Sequence, residues 1–146
     1  QRTANEKEAN MSKVSTKMNL GVPAAKVWDL IGGFNALQDW HPAVERSELE
    51  EGGSRRRLHL VGGGEIVEEL QARDETGHSY TYSIVSGPLP VANYKATITV
   101  DEDADGNAVV EWAGEFEPVG SAAEAENVVR SIYDAGLQNL KKMMGG

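Results

Sequence analysis

An arginine and a glutamate on two neighbouring segments are the residues whose types and spacing best suit chemistry. Alternation over 55–61 and 65–73 places Arg56 and Glu68 among apolar residues on one face of each predicted strand. A hairpin that turns through the glycines at 62–64 would make the two side chains diagonal neighbours. Such an inward pair can anchor a ligand oxygen and transfer a proton, or it can be a structural ion pair that keeps the hairpin in register.

The three histidines offer a weaker signal. His41 precedes Pro42 near the expected mouth of the interior, where it can act as a general base, contact a ligand or pack against Trp40. His59 and His78 are expected in solvent, on an outer face and at a strand start. The histidines lack the H-x-x-x-H or H-x-H spacing of a metal site, and the chain has no cysteine. The sequence therefore predicts neither a metal site nor a cofactor.

The composition narrows the class of protein. The chain has 146 residues, of which 40% are hydrophobic, and its formal net charge is −9. This length suits one domain with a sizeable core, and the acidic balance argues against nucleic acid as a partner, because phosphate neutralisation needs a basic face. No stretch approaches the roughly 20 apolar residues of a membrane span. We expect a cytoplasmic monomer or weak homodimer that does not insert into membranes.

The order of the predicted elements indicates an α+β fold. Residues 1–10 are polar and predict a disordered extension or a remnant of expression, and 11–146 predict a single domain. A strand at 13–20 and two short helices come first, and six strands with short turns, which require antiparallel neighbours, follow over 44–118. A helical period over 121–144 predicts one long C-terminal helix. We expect a curved seven-stranded antiparallel sheet around that helix, with an internal ligand cavity.

Aromatic and small residues alternate on the inner faces of the later strands. Tyr80, Tyr82, Tyr94 and Trp112 point toward the long helix, whose Tyr133 points back, so each polar tip must find a partner there. Aromatic walls with small gaps and few polar groups are typical of a ligand cavity. The predicted lining residues are Trp40, His41, Leu58, Leu60, Ile66, Leu70, Tyr80, Tyr82, Pro90, Tyr94, Trp112, Val129, Ile132 and Tyr133.

Several short motifs, in this order and spacing, resemble a known superfamily. They are P-A-A-x-V-W-x-L-I-G-x-F at 23–34, W-H-P at 40–42, G-x-I-V-E-x-L at 64–70 and V-x-W-x-G-x-F at 110–116. With the predicted elements they resemble the START/pollen-allergen-like helix-grip superfamily (SRPBCC) and, within it, the polyketide cyclase/dehydrase-like branch. The resemblance implies a helix-grip fold with a gate loop at 87–90. It also implies that Arg56 and Glu68 correspond to the inward arginine and glutamate of lachrymatory factor synthase-type enzymes.

Three functions from different classes fit these residues. The first is a carrier or binding protein for a small hydrophobic or aromatic molecule, with Arg56 and Glu68 orienting its polar end. The alternative is a cofactor-independent polyketide cyclase/dehydratase or isomerase, in which Glu68 is the acid or base and Arg56 anchors an oxyanion. A third hypothesis, a surface for protein partners, would use the outward side chains of Glu111, Glu115 and Glu117.

Overall fold

The structure, a computed structural model, describes residues 11–145, so the extension predicted at 1–10 lies outside the described residues. Two short helices follow the first strand, and a long helix follows the last. In chain order the elements are β1 (Ser12–Pro23), α1 (Ala24–Ile31), α2 (Leu37–Trp40), β2 (Val44–Glu50), β3 (Arg55–Leu60), β4 (Glu65–Asp74), β5 (Ser79–Ser86), β6 (Val91–Glu102), β7 (Asn107–Pro118) and α3 (Ala122–Met144). Within the described residues, no helix is both long and apolar enough to span a membrane.

The strands form one antiparallel sheet in the order β1-β7-β6-β5-β4-β3-β2. Consecutive strands from β2 to β7 are neighbours because their connections are too short for a crossover. β1 instead pairs with β7, from Ser12 opposite Phe116 to Asn19 opposite Val109. The predicted curved seven-stranded sheet with a long C-terminal helix is confirmed.

The long helix α3 has the caps that its sequence predicts. Ser121 Oγ accepts a hydrogen bond from the Glu124 N–H at 3.2 Å, and Gly145 ends the helix with a φ of 74°. Near the end of the helix, Met143 is 48% exposed, and Met144 packs against the core instead. The residues that α3 buries are Ala125, Val129, Tyr133, Gly136, Leu137 and Leu140.

The β3–β4 hairpin differs in register from the prediction. Arg56 lies directly opposite Glu68 rather than diagonal to it. The Leu60 N–H donates to the Gly64 carbonyl at 3.0 Å, so Val61 belongs to the turn and not to the strand. The three glycines of that turn all adopt positive φ angles, which glycine tolerates best. The direct opposition brings the two charged side chains within hydrogen-bond reach of each other.

The two histidines predicted in solvent are half-buried, which corrects that expectation. His78 stacks on Trp28 with the ring centroids 5.4 Å apart, because α1 packs close to the start of β5. His59 lies among the ion pairs on the outer face of the hairpin, where it contacts Glu48 and Glu65. Neither ring reaches the interior.

Candidate ligand-binding cavity

The inner face of the sheet and α3 border a cavity of about 530 Å³. α2, the β3–β4 turn and the loop before β6 also contribute to its wall. Most of the lining side chains are aliphatic or aromatic, which suits an apolar ligand. The lining residues are Leu37, His41, Ala43, Val44, Leu58, Leu60, Val61, Gly63, Ile66, Glu68, Tyr82, Ile84, Leu89, Tyr94, Trp112, Asn127, Val128, Ser131 and Ile132.

Eight of the fourteen predicted lining residues border this cavity, together with Glu68. The eight are His41, Leu58, Leu60, Ile66, Tyr82, Tyr94, Trp112 and Ile132. The six that do not border it are Trp40, Leu70, Tyr80, Pro90, Val129 and Tyr133. Two of these six, Tyr133 and Trp40, pack against the lining residue Trp112. The ring centroid of Trp112 lies 4.5 Å from that of Tyr133 and 5.5 Å from that of Trp40. The interior is therefore packed around Trp40 and hollow beside Glu68.

Ten lining residues are absent from the sequence-based prediction. They are Leu37, Ala43, Val44, Val61, Gly63, Ile84, Leu89, Asn127, Val128 and Ser131. Ile84 shares a strand face with Tyr82, so the period of two was a usable signal for it. The three residues from α3 are exposed, so the pattern of apolar residues on the buried face of the helix does not include them.

Arg56 and Glu68 form a buried ion pair at the cavity wall. Arg56 Nε donates to Glu68 Oε1 at 2.8 Å, and Nη2 lies 2.7 Å from the same oxygen without hydrogen-bond geometry. Nη1 donates to the Phe34 carbonyl at 2.7 Å and to the Tyr80 hydroxyl at 3.3 Å. The guanidinium carbon lies 4.3 Å from the centroid of the Phe34 ring, which also stabilises the cation. Arg56 is 0% exposed and does not border the cavity.

Burial dominates the electrostatics of Glu68. Removal from water raises the pKa of this carboxyl, although the charge and the hydrogen bond of Arg56 act in the opposite direction. A carboxyl with a raised pKa beside a cavity is suited to accept and return a proton. Arg56 reaches the cavity only through Glu68, so the predicted oxyanion anchor has no direct contact with the space that a ligand would fill.

Three tyrosines and a tryptophan form a hydrogen-bonded chain beside the ion pair. Trp112 Nε1 donates to the Tyr82 hydroxyl at 3.0 Å, and the Tyr82 and Tyr94 hydroxyl oxygens are 3.2 Å apart. Tyr94 in turn hydrogen-bonds Tyr133, whose hydroxyl occupies the space beside Gly114 that a Cβ would fill. Burial raises the pKa of Tyr82 and of Tyr94 well above the ordinary value, so both hydroxyls stay protonated.

His41 borders the cavity, but both of its ring nitrogens are occupied. Nε2 donates to the Ile132 carbonyl at 2.7 Å, and Nδ1 accepts the Ala43 N–H at 3.1 Å. Because a carbonyl only accepts and an N–H only donates, the ring is the neutral Nε2–H tautomer. Burial lowers the pKa of His41, which favours the same neutral form. His41 therefore ties α3 to the segment before β2 and has no nitrogen left for a general base.

The cavity opens between the β3–β4 turn and α3. Val61 and Val128 border the cavity and are 63% and 36% exposed, so they form an apolar rim. Leu89, in the loop predicted as a gate, borders the cavity as well, whereas Pro90 in the same loop does not. A ligand entering here would pass these apolar side chains and exposed polar side chains of α3 before it reaches Glu68.

A second depression, of about 690 Å³, lies on the outer face of the sheet. It is lined mainly by polar and charged side chains such as Lys95 and Glu115 and contains no aromatic residue. Of the outward glutamates, Glu111 accepts a hydrogen bond from Ser15 at 2.8 Å. Residues 11–145 contain no group of three or more His, Asp or Glu side chains placed to hold a metal ion. The inner cavity combines aromatic walls with buried polar groups and is therefore the candidate site.

Solved structures share this fold. The protein XoxI from Bacillus cereus is 41% identical, with a TM-score of 0.89, over 91% of this chain and 95% of that chain. Major latex-like protein 151 from Panax ginseng is 17% identical, with a TM-score of 0.78, over 92% of this chain and 97% of that chain. This second likeness concerns the fold alone.

A curated relative and a family profile match the sequence itself. The abscisic acid receptor PYL6 of Arabidopsis thaliana is 29% identical over 136 residues, which are 83% of this chain but only 63% of the receptor. The profile of the family described as polyketide cyclase / dehydrase and lipid transport matches residues 11–145. The predicted resemblance to the helix-grip superfamily is thereby confirmed. The chain belongs to the polyketide cyclase / dehydrase and lipid transport family.

Proposed function

We propose that the protein binds a small hydrophobic or aromatic molecule in the cavity between the sheet and α3, as a carrier or binding protein. The observation that supports this most is the cavity of about 530 Å³ with its largely aliphatic and aromatic wall. Burial of apolar surface contributes about 25 cal/mol per Å², so a ligand of this kind needs few polar contacts. The family description includes lipid transport, and one relative is named as an abscisic acid receptor.

Binding of a neutral fluorescent probe, N-phenyl-1-naphthylamine, tests this proposal. We expect its emission to rise in the presence of the protein and to fall when an apolar competitor is added. Ile132→Trp places an indole in the cavity wall and should weaken binding about tenfold or more. Arg130→Trp, at an exposed position of the same helix, is the matched control and should not change binding. A wild-type protein that does not bind the probe, or two variants that bind it equally well, would contradict the proposal.

A second candidate function, proton transfer without a cofactor, is favoured by one observation: Glu68 borders the cavity and its pKa is raised. Glu68 would remove a proton from a carbon next to a carbonyl and return it elsewhere, as isomerisation or cyclisation with dehydration requires. Tyr82 or Tyr94 would donate a hydrogen bond to the developing oxyanion. Arg56 would then be a positioning residue that holds the carboxylate.

Deuterium exchange into an enolisable aromatic ketone, 2-tetralone, separates this candidate from simple carriage. The acidic C–H next to the carbonyl exchanges in D₂O, and NMR follows its loss. We expect faster exchange with the wild type than with Glu68→Gln, while 2-tetralone displaces the fluorescent probe from both. Equal exchange rates with the two proteins would leave the acid–base role of Glu68 without support.

The state in solution is part of the same proposal. We propose a monomer or weak homodimer that works in the cytoplasm, with a small hydrophobic ligand as its partner and without nucleic acid. The formal net charge of −9 supports the last point, because an acidic surface repels phosphate. Light scattering over a dilution series tests the oligomeric state, and a dimer that persists at the lowest concentration would contradict it.

A further inference from the structure

The polar end of the cavity offers a ligand one hydrogen-bond acceptor and one donor, and among residues 11–145 the only charged side chain that borders the cavity is that of Glu68. We propose that the cavity selects a neutral ligand whose polar end is a hydroxyl group and that it rejects a carboxylate of the same size. This inference rests on the proposed binding function, because it concerns the same cavity.

The acceptor is the second oxygen of Glu68. Both contacts of the Arg56 guanidinium, from Nε at 2.8 Å and from Nη2 at 2.7 Å, are made to Oε1. Within residues 11–145, Oε2 has no hydrogen-bond partner, and the carboxylate borders the cavity. Since a carboxylate offers about four acceptor positions, Oε2 remains open to a donor that a ligand brings.

The donor follows from a count of hydroxyl protons. Tyr82, Tyr94 and Tyr133 carry three such protons but form two hydroxyl–hydroxyl hydrogen bonds, and three minus two leaves one proton over. Trp112 only donates to this chain and takes up no proton. The remaining proton sits on Tyr82, Tyr94 or Tyr133, depending on the direction of the two bonds. Tyr82 and Tyr94 border the cavity, and Tyr133 does not. A ligand oxygen in the cavity can therefore accept the remaining proton only when that proton sits on Tyr82 or on Tyr94.

The charges around the cavity oppose an anionic ligand. Among the described residues, no lysine or arginine borders the cavity, and His41 is neutral with both nitrogens occupied. The charge of Arg56 is already compensated by Glu68. A ligand carboxylate would lose its water and meet a like charge without a cation to offset either cost. A hydroxyl group would instead donate to Oε2 and accept from a tyrosine.

Three competitors that share one ring system test the selection. 2-Naphthol, naphthalene and 2-naphthoate are titrated against N-phenyl-1-naphthylamine bound to the intact chain near neutral pH. We expect 2-naphthol to bind about tenfold more tightly than naphthalene, as a hydrogen bond to a charged group allows. We expect 2-naphthoate to bind at least about tenfold more weakly than 2-naphthol, because like charges repel in a desolvated site.

A pair of matched variants assigns the selection to Glu68. Glu68→Gln removes the negative charge and should narrow the gap between 2-naphthol and 2-naphthoate. Glu69→Gln is the control, because Glu69 pairs with Arg55 at the outer face and does not border the cavity. If Glu68→Gln does not fold, the titration of the three competitors against the wild-type protein still tests the preference for a hydroxyl over a carboxylate.

The outcomes distinguish this inference from the binding proposal. If the neutral probe does not bind, the binding proposal fails and the selection fails with it. If the probe and naphthalene bind but 2-naphthoate matches or exceeds 2-naphthol, binding stands and the rejection of carboxylates is wrong. If 2-naphthol binds no better than naphthalene, the donor and acceptor are not used and the preference for a hydroxyl is wrong.

Discussion

Removal of one partner of the Arg56–Glu68 pair should destabilise the fold far more than removal of both. Arg56 is 0% exposed and Glu68 is 5% exposed, so both charges are largely removed from water in the folded state. A buried charge left without its partner costs about 3–5 kcal/mol, whereas replacement of a whole buried pair by apolar residues of similar volume is often neutral or stabilising. We therefore expect a large non-additivity between Arg56→Met and Glu68→Leu.

The two single variants should differ from each other, because the remaining group has different alternatives. In Glu68→Leu, Arg56 cannot lose its proton but keeps the Phe34 carbonyl, the Phe34 ring and the Tyr80 hydroxyl. We expect its loss of stability near the lower end of the range, about 3 kcal/mol. In Arg56→Met, the carboxyl of Glu68 can escape the cost by taking up a proton.

This difference gives Arg56→Met a pH dependence of known sign. The pKa of Glu68 is raised by burial even with Arg56 present, and the variant removes the group that lowers it. A carboxyl whose folded pKa lies above its unfolded pKa stabilises the fold at low pH, and this contribution is lost as the pH rises through the folded value. The variant should therefore be closest to the wild type in acid and furthest from it in alkali.

Chemical unfolding followed by far-UV circular dichroism, over a pH series, measures all four proteins of the cycle. Glu69→Leu is the control, since the Arg55–Glu69 pair joins the same two strands but is 38% and 36% exposed, and its loss should cost about 0–1 kcal/mol. At the alkaline end of the series, a single variant at Arg56 or Glu68 that loses less than about 1 kcal/mol would refute the reasoning, because exposed pairs contribute that little. A double variant less stable than both single variants would refute it as well.

Three further changes have expected outcomes. Gly136→Ala would place a Cβ 2.7 Å from His41 Cδ2, so its denaturation midpoint should fall by the equivalent of about 1–3 kcal/mol. Burial lowers the pKa of His41, so this residue stabilises the fold at pH values above the ordinary histidine pKa, and the stabilisation is lost as the pH falls through the folded-state pKa. His41→Gln should therefore lose less stability in acid than the wild type, as measured by thermal unfolding. Ser121→Ala removes the cap that accepts the Glu124 N–H and should cost about 1 kcal/mol in chemical unfolding.

Each of these changes has a result that would count against it. Ser131→Ala, at an exposed position of the same helix, controls for helix propensity, and a Gly136→Ala protein as stable as this control would mean that α3 can shift. His41→Gln with the same loss of stability in acid as the wild type would place the responsible group elsewhere. A Ser121→Ala protein with the same free energy of unfolding as the wild type would show that the Ser121 cap does not stabilise α3.

Local patterns were sufficient for most of the fold, and they failed where distant contacts decide. The period of two marked the strands, and short turns required antiparallel neighbours, because both depend only on residues close in sequence. The register of the β3–β4 hairpin was wrong because three consecutive glycines allow several turns. The pairing of β1 with β7 has no local signal, since Lys13 and Glu115 are far apart in the chain.

The same division holds for the candidate site. Strand alternation already indicates that Arg56, Glu68 and the tyrosines point inward, because side-chain direction follows from the backbone. Packing between elements far apart in sequence decides what the interior contains: Tyr133 and Trp112 stack and fill one part, while Tyr82 and Glu68 border a hollow. It also seals Arg56 behind Glu68, because the Phe34 carbonyl and ring cover the guanidinium from a loop 22 residues earlier in the chain. The volume of the cavity and its access to solvent depend on how distant elements pack together, so no periodicity in the sequence predicts them.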